Sequence, residues 1–178
     1  MGPTCAIILD RTIDFQITNQ VDDFLKLIIN GNLKTPKVSR DFWVDKRKFP
    51  KITSQGSDCL FNLCYDNKLK LMDEDVIVEL DLALNFQVKS MIIICARCNQ
   101  QGDHNVLAEL ILEVAKLTSG LIDFGYDISK YDSESQTISK GMKYDIKFNH
   151  DRVIKSFIDI EYFGNWLENN KTKVRMVK

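Results

Sequence analysis

The run Met91-Ile92-Ile93-Ile94-Cys95-Ala96 is apolar at six consecutive positions, and it constrains the fold more than any other feature of the chain. Six residues are far short of the ~20 that a membrane-spanning helix needs. A short apolar run rich in β-branched side chains fits a strand covered on both faces, hence central in a sheet. We place that strand at Val88 to Cys95. Just downstream, Val106, Leu107, Leu110, Ile111, Val114 and Ala115 recur at helical spacing behind a capping Asp103 and stop at Gly120. A buried strand followed by an amphipathic helix asks for a layered domain of sheet and helices.

The remaining elements follow from the same two periods. Cys5 to Leu9 is an apolar run ended by Asp10 and reads as a buried first strand. Thr18 or Asn19 can cap a helix from Gln20 to Asn30, with Val21, Phe24, Leu25, Ile28 and Ile29 on one face and Gly31 placed to end it. Arg40 to Val44 and Cys59 to Tyr65 are aromatic- and β-branched-rich strands on either side of a Pro/Gly/Ser-containing turn, Pro50 to Ser57. Asp75 to Phe86 fits both templates: Val76, Val78, Leu80, Leu82 and Leu84 alternate as in a strand, while Val76, Ile77, Leu80, Ala83 and Leu84 share a helical face. The acids Asp73, Glu74 and Asp75 suit a helix N-terminus, where backbone N–H groups favour negative charge, so the expectation is helix. Strands are expected at Leu121 to Phe124 and Met142 to Phe148, around a polar loop from Ser129 to Lys140. A last helix starts near Asp159 with Phe163, Trp166 and Leu167 inward, and Val174 to Val177 forms a closing strand. The expected fold class is α+β over one domain, residues 1–178: a mixed or antiparallel sheet with helices packed on one face. In that order a split β-α-β unit can be read twice, as two ferredoxin-like halves.

Composition matches this picture. With 178 residues, 44% apolar and 28% charged, the chain can bury roughly 70% of its unfolded surface in one core. The opening Met1-Gly2-Pro3-Thr4 lacks a basic leader segment, and Ala6 stands where a myristoylation motif wants Ser or Thr, so a cytoplasmic location is expected. Cysteines at 5, 59, 64, 95 and 98 are an odd set in a domain that needs no staples, and free thiols are expected. Net charge is −1, yet the charges are blocked. Leu33 to Lys51 holds seven bases against two acids. Asp58 to Asp81 and Asp103 to Glu134 each hold seven acids against two bases, and Lys140 to Lys178 holds nine bases against five acids. Such blocks are ordinarily solvated faces; the sharper interpretation is an acidic surface that meets a basic partner.

Candidate chemistry is sparse. Cys95-Ala96-Arg97-Cys98 is a C-x-x-C between a strand and a helix, the setting of a thiol redox pair, but the helix cap at Asp103 leaves both cysteines outside the first helical turn. A zinc site lacks a second ligand pair at metal spacing, since Cys59 and Cys64 lie inside one predicted strand and the chain has two His. Asp103-His104 and His150-Asp151 are sequence neighbours whose side chains point apart, so neither makes an acid–base pair. Asp123-Phe124-Gly125 repeats a kinase triplet without the loop, lysine or catalytic segment that would accompany it. Lys46-Arg47-Lys48 beside Phe42, Trp43 and Phe49 resembles a stacking platform for single-stranded nucleic acid, against which the overall charge argues. The same Phe42 or Trp43, on an edge strand, could pair two copies; a monomer or weak dimer is expected, and no cofactor.

Gly2-Pro3-Thr4, Cys98-Asn99, Asp103-His104, Leu121-Ile122-Asp123-Phe124-Gly125, Phe163, Trp166-Leu167 and Val174-Arg175-Met176-Val177-Lys178 together resemble the pattern of an uncharacterised bacterial domain family. In size, in its wealth of Ile, Lys and Asn, in its blocked charge and in its lack of catalytic motifs, the chain also resembles the immunity proteins that bacteria encode beside contact-dependent and other polymorphic toxins. That second resemblance implies a non-enzymatic function, a tight complex in which acids of this chain occupy the basic substrate groove of a cognate protein toxin, a nuclease for example. The acids it nominates are Asp66, Asp73, Glu74, Asp75, Glu79, Asp127, Asp132 and Glu134. The competing interpretations are a small thiol enzyme using Cys95 and Cys98, and a nucleic-acid-binding module.

Overall fold

The computed structural model describes residues 2–29, 39–45, 48, 58–72, 74–97, 100–128, 140–147 and 154–170. Within them the chain runs β1 (Thr4–Leu9), α1 (Phe15–Ile28), β2 (Ser39–Val44), β3 (Cys59–Asp66), α2 (Glu74–Leu84), β4 (Ser90–Ala96), α3 (Gln101–Thr118), β5 (Leu121–Asp123), β6 (Lys143–Lys147), β7 (Ile154–Ile158) and α4 (Ile160–Asn169). All seven strands join one sheet in the order β2-β3-β4-β1-β5-β7-β6, and every pairing is antiparallel. The fold is α+β. The predicted strand at Val174 to Val177 and most of the basic segment from Leu33 lie outside the described residues.

The expected strand topology changes in two places. The ferredoxin-like pair of halves is replaced by one split β-α-β unit: β4 and β5 flank β1, antiparallel to both, and α3 carries the chain between them. β7 was not anticipated, because Lys155 and Ser156 interrupt its apolar pattern, yet it fills the place between β5 and β6. Ser156 can be buried there because it donates to Asp145 Oδ1 at 2.6 Å and accepts from the Ile128 N–H at 3.0 Å.

The helices are not all on one face. α1, α3 and α4 cover the face that carries Cys5, Ile7, Leu9, Phe42, Phe61, Leu63, Ile92, Ile94 and Ile158. α3 is buried along most of its length, which explains why its stripe was so clear. Trp166 and Phe163 of α4 stack with ring centroids 5.7 Å apart and interplanar angle 10°, and Phe124 meets Trp166 edge-on at 5.4 Å. Each fully buried side chain of this size contributes about 1.5–3 kcal/mol. α2 lies on the opposite face, where Val76 and Leu80 close over Ile8, Val88, Ile146 and Phe157.

The helix ends also differ from expectation, for local reasons. α1 begins a turn early: Asp14 is its N-cap and accepts from the Ile17 N–H at 2.9 Å, which lets Ile17 join the core. α3 is capped at Gln100, and Asp103 is the third residue of a capping box, its Oδ2 accepting from the Gln100 N–H at 2.8 Å. Its last turn closes through Ser119 in the left-handed region (φ 52°), while Gly120 serves packing: a Cβ there would sit 2.6 Å from Leu9 Cδ2 and 2.9 Å from the Ile8 carbonyl oxygen.

One buried ion pair ties α1 to β2. Arg40 points into the covered face, donates to Asp22 of α1 and lies 3.4 Å from the Tyr65 hydroxyl. Its guanidinium carbon is 5.9 Å from the Tyr65 ring centroid, and Nε and Nη1 meet no acceptor among the described residues. Burial pushes the Tyr65 phenol up to about 12, so it stays protonated.

Candidate functional site

α2 is the element on which sequence pattern and structure disagree about economy. A helix on a sheet needs one apolar stripe, and Val76 and Leu80, with Ile77 and Leu84 half-buried, supply it. Val78 and Leu82 are surplus, 55% and 78% exposed on the outward side. They explain why the segment fitted a strand as well as a helix: the alternating positions belong to two opposite helical faces. Leu71, in the turn that leads into the helix, is 65% exposed.

The charges on α2 break a second rule. Glu74, Asp75, Glu79 and Asp81 are all exposed, and the helix carries no base. Glu74 and Asp75 sit in the first turn, where the helix dipole favours them. Asp81 stands in the last turn, against the negative end of the dipole, with no Lys or Arg there to offset it. Asp75, Val78, Glu79 and Leu82 follow the i, i+3, i+4, i+7 spacing of one outward stripe, acidic and apolar together.

The turn that aims this helix is built by side chains accepting from backbone. Asp66, at the end of β3, accepts from the Lys68 N–H at 2.9 Å through Oδ1 and from the Leu71 N–H at 3.0 Å through Oδ2. Asn67 accepts from the Ile13 N–H at 2.8 Å and donates to the Ile13 carbonyl at 3.0 Å, clamping the turn to the segment before α1. Asp66 is buried and positions α2 instead of facing outward.

The other nominated acids separate accordingly. Glu74, Asp75 and Glu79 come together on α2. Asp127, after β5, faces Lys143 of β6 at 3.9 Å, beside the closer Lys143–Asp145 pair at 2.8 Å. Asp73, Asp132 and Glu134 lie outside the described residues. Sequence reasoning missed Asp81, Val78, Leu82 and Leu71 as surface candidates; the signal was the double fit of residues 75–86 to both templates.

Cys95 is half-buried on β4, and its sulfur accepts from the Thr4 hydroxyl at 3.2 Å; Cys98 lies outside the described residues. Cys59 and Cys64 point to opposite faces of β3, Cys59 donating to Asp103 Oδ1 at 2.6 Å in the core. Burial raises the Cys64 thiol, as do the nearby Asp66 and Cys95, and burial first, then Asp123, raises that of Cys5. Among the described residues no group of three or more His, Cys, Asp or Glu could hold a metal ion. His104 is buried. Phe42 and Trp43 cannot form one platform, because Phe42 stacks on Phe61 in the core at 6.0 Å while Trp43 is exposed on the other face. Lys48 donates to the Ile29 carbonyl at 3.3 Å, and Lys46, Arg47 and Phe49 lie outside the described residues. A groove of ≈ 370 Å³ between α3 and α4 mixes Glu109, Glu161 and Glu168 with Lys116 and Lys140. Among the described residues, no helix is long and apolar enough to cross a membrane.

No curated protein and no solved structure matches this chain. A family model does match, over residues 1–178, and the chain belongs to that family of unknown function, DUF6368.

Proposed function

We propose that this chain is an immunity-type inhibitor that binds a basic cognate toxin in the bacterial cytoplasm and covers its substrate groove, acting by occupation and not by catalysis. The observation that carries the reading is the charge of α2: four exposed acids, no base, and one acid set against the helix dipole. An arrangement that costs the isolated helix a little stability has a reason to persist if a cationic surface meets it. Complementary charge steers such an encounter and rejects like-charged partners. A groove that holds nucleic acid is basic by necessity, so a nuclease toxin is the partner class that fits.

The test is co-expression with the protein encoded by the adjacent reading frame. The expected result is a complex that co-purifies, weakens as salt rises, and protects cells from that protein. A neighbour product that neither binds nor is neutralised would overturn the proposal.

A further inference from the structure

Charge alone leaves Val78, Leu82 and Leu71 without a purpose, since none is used by either core cluster. Single exposed apolar side chains are ordinary. These are not scattered: Val78 and Leu82 are one turn apart on the outward stripe of α2, with Asp75 one turn before Val78 and Glu79 between the two. An apolar pair flanked by acids has the form of a helix that docks into a groove, its aliphatic side chains entering a pocket and its charges meeting the rim. We infer that α2 docks as a helix in a groove with an apolar floor and a basic rim on a protein partner, with Leu82 and Val78 as the anchors and Asp75 and Glu79 as the rim contacts. The inference rests on the proposed function for the identity of the partner, and goes beyond it in assigning the docking element and dividing the work on it.

The division has a kinetic signature. Rim charges act mainly on the association rate and its salt dependence, whereas desolvated anchors act on dissociation. A truncated anchor at the centre of an interface weakens binding by about tenfold or more. Because both side chains are exposed in the free protein, truncating them leaves its fold intact.

The experiment is binding kinetics of the full chain against the purified product of the adjacent reading frame, at low and moderate salt, with thermal melts of every variant. Leu82→Ala and Val78→Ala are expected to speed dissociation about tenfold with unchanged melting temperature, and Leu82→Asn to weaken binding further. Asp75→Asn with Glu79→Gln is expected to slow association and flatten its salt dependence. Phe15→Ala, which truncates an exposed side chain on α1, is the control and leaves both rates alone. If the wild-type complex forms and the α2 variants dissociate as the wild type does, α2 is not the docking element, while the proposed function stands. If the wild type forms no complex, both fall together.

Discussion

Among the described residues, three helices on one face of the sheet bury Trp166, Phe61, Phe124 and Phe163 completely, whereas on the other face one helix closes over Ile8 and Phe157 with Val76 and Leu80. The first face is organised for stability. The second spends much of its helix on the outside, with apolar and acidic side chains that no internal packing explains. Substitutions on the two faces are therefore expected to have different readouts: global unfolding for α1, α3 and α4, and, if the proposed docking holds, partner binding for the outer side of α2.

The largest effect that would sharpen this contrast is Trp166→Ala. Loss of a fully buried indole with two aromatic neighbours should cost about 3–5 kcal/mol in urea unfolding. Asp22→Ala belongs in the same range, about 3–5 kcal/mol, because it leaves the Arg40 guanidinium buried without its carboxylate. Leu80→Ala, on the thinner face, should cost about 2–3 kcal/mol, and hydrogen exchange should show α2 opening before the rest of the sheet. Equal protection of α2 and α3 would break the comparison.

Gly120→Ala should cost about 1–3 kcal/mol by overpacking against β1. Asp123 gives a smaller effect of opposite sign. Burial raises its carboxyl above the ordinary value, against the lowering influence of Lys155 and the Gly125 N–H. A raised folded-state pKa means that stability is fullest below the unfolded value and declines as pH rises through the folded one. Asp123→Asn keeps an acceptor for Gly125 and removes the ionisation, so it should raise the melting temperature at pH 7. The gain should vanish by about pH 3, below the unfolded carboxylate value; a gain that persists there would assign it to another cause. Smallest of all, Val78→Ala and Leu82→Ala should change stability by less than about 0.5 kcal/mol.

Legibility in the sequence followed the same division. β1, β3, β4 and α3 were readable because their apolar patterns match the burial they undergo. β7 was not, since a buried Ser156 satisfied by Asp145 and Ile128 depends on partners 11 and 28 residues away. The second face was hidden because periodicity reports that residues share a face without saying which side of the sheet receives it. Of the site, the acids of α2 were legible as composition, and Asp66 was misjudged because its two backbone partners in the turn were invisible. Val78 and Leu82 were seen only as an ambiguity, which the structure turned into a surface.

The place of β1 has a consequence for how this protein is made. Residues 4–9 form the central strand of the sheet, but their partners are residues 90–95 and 121–123. At ~5–20 residues per second, the strand waits on the order of ten seconds during synthesis for β4, and longer for β5. Throughout that interval Cys5-Ala6-Ile7-Ile8-Leu9 lacks its sheet partners, so the expected yield of native protein rises when chaperones shield the nascent chain.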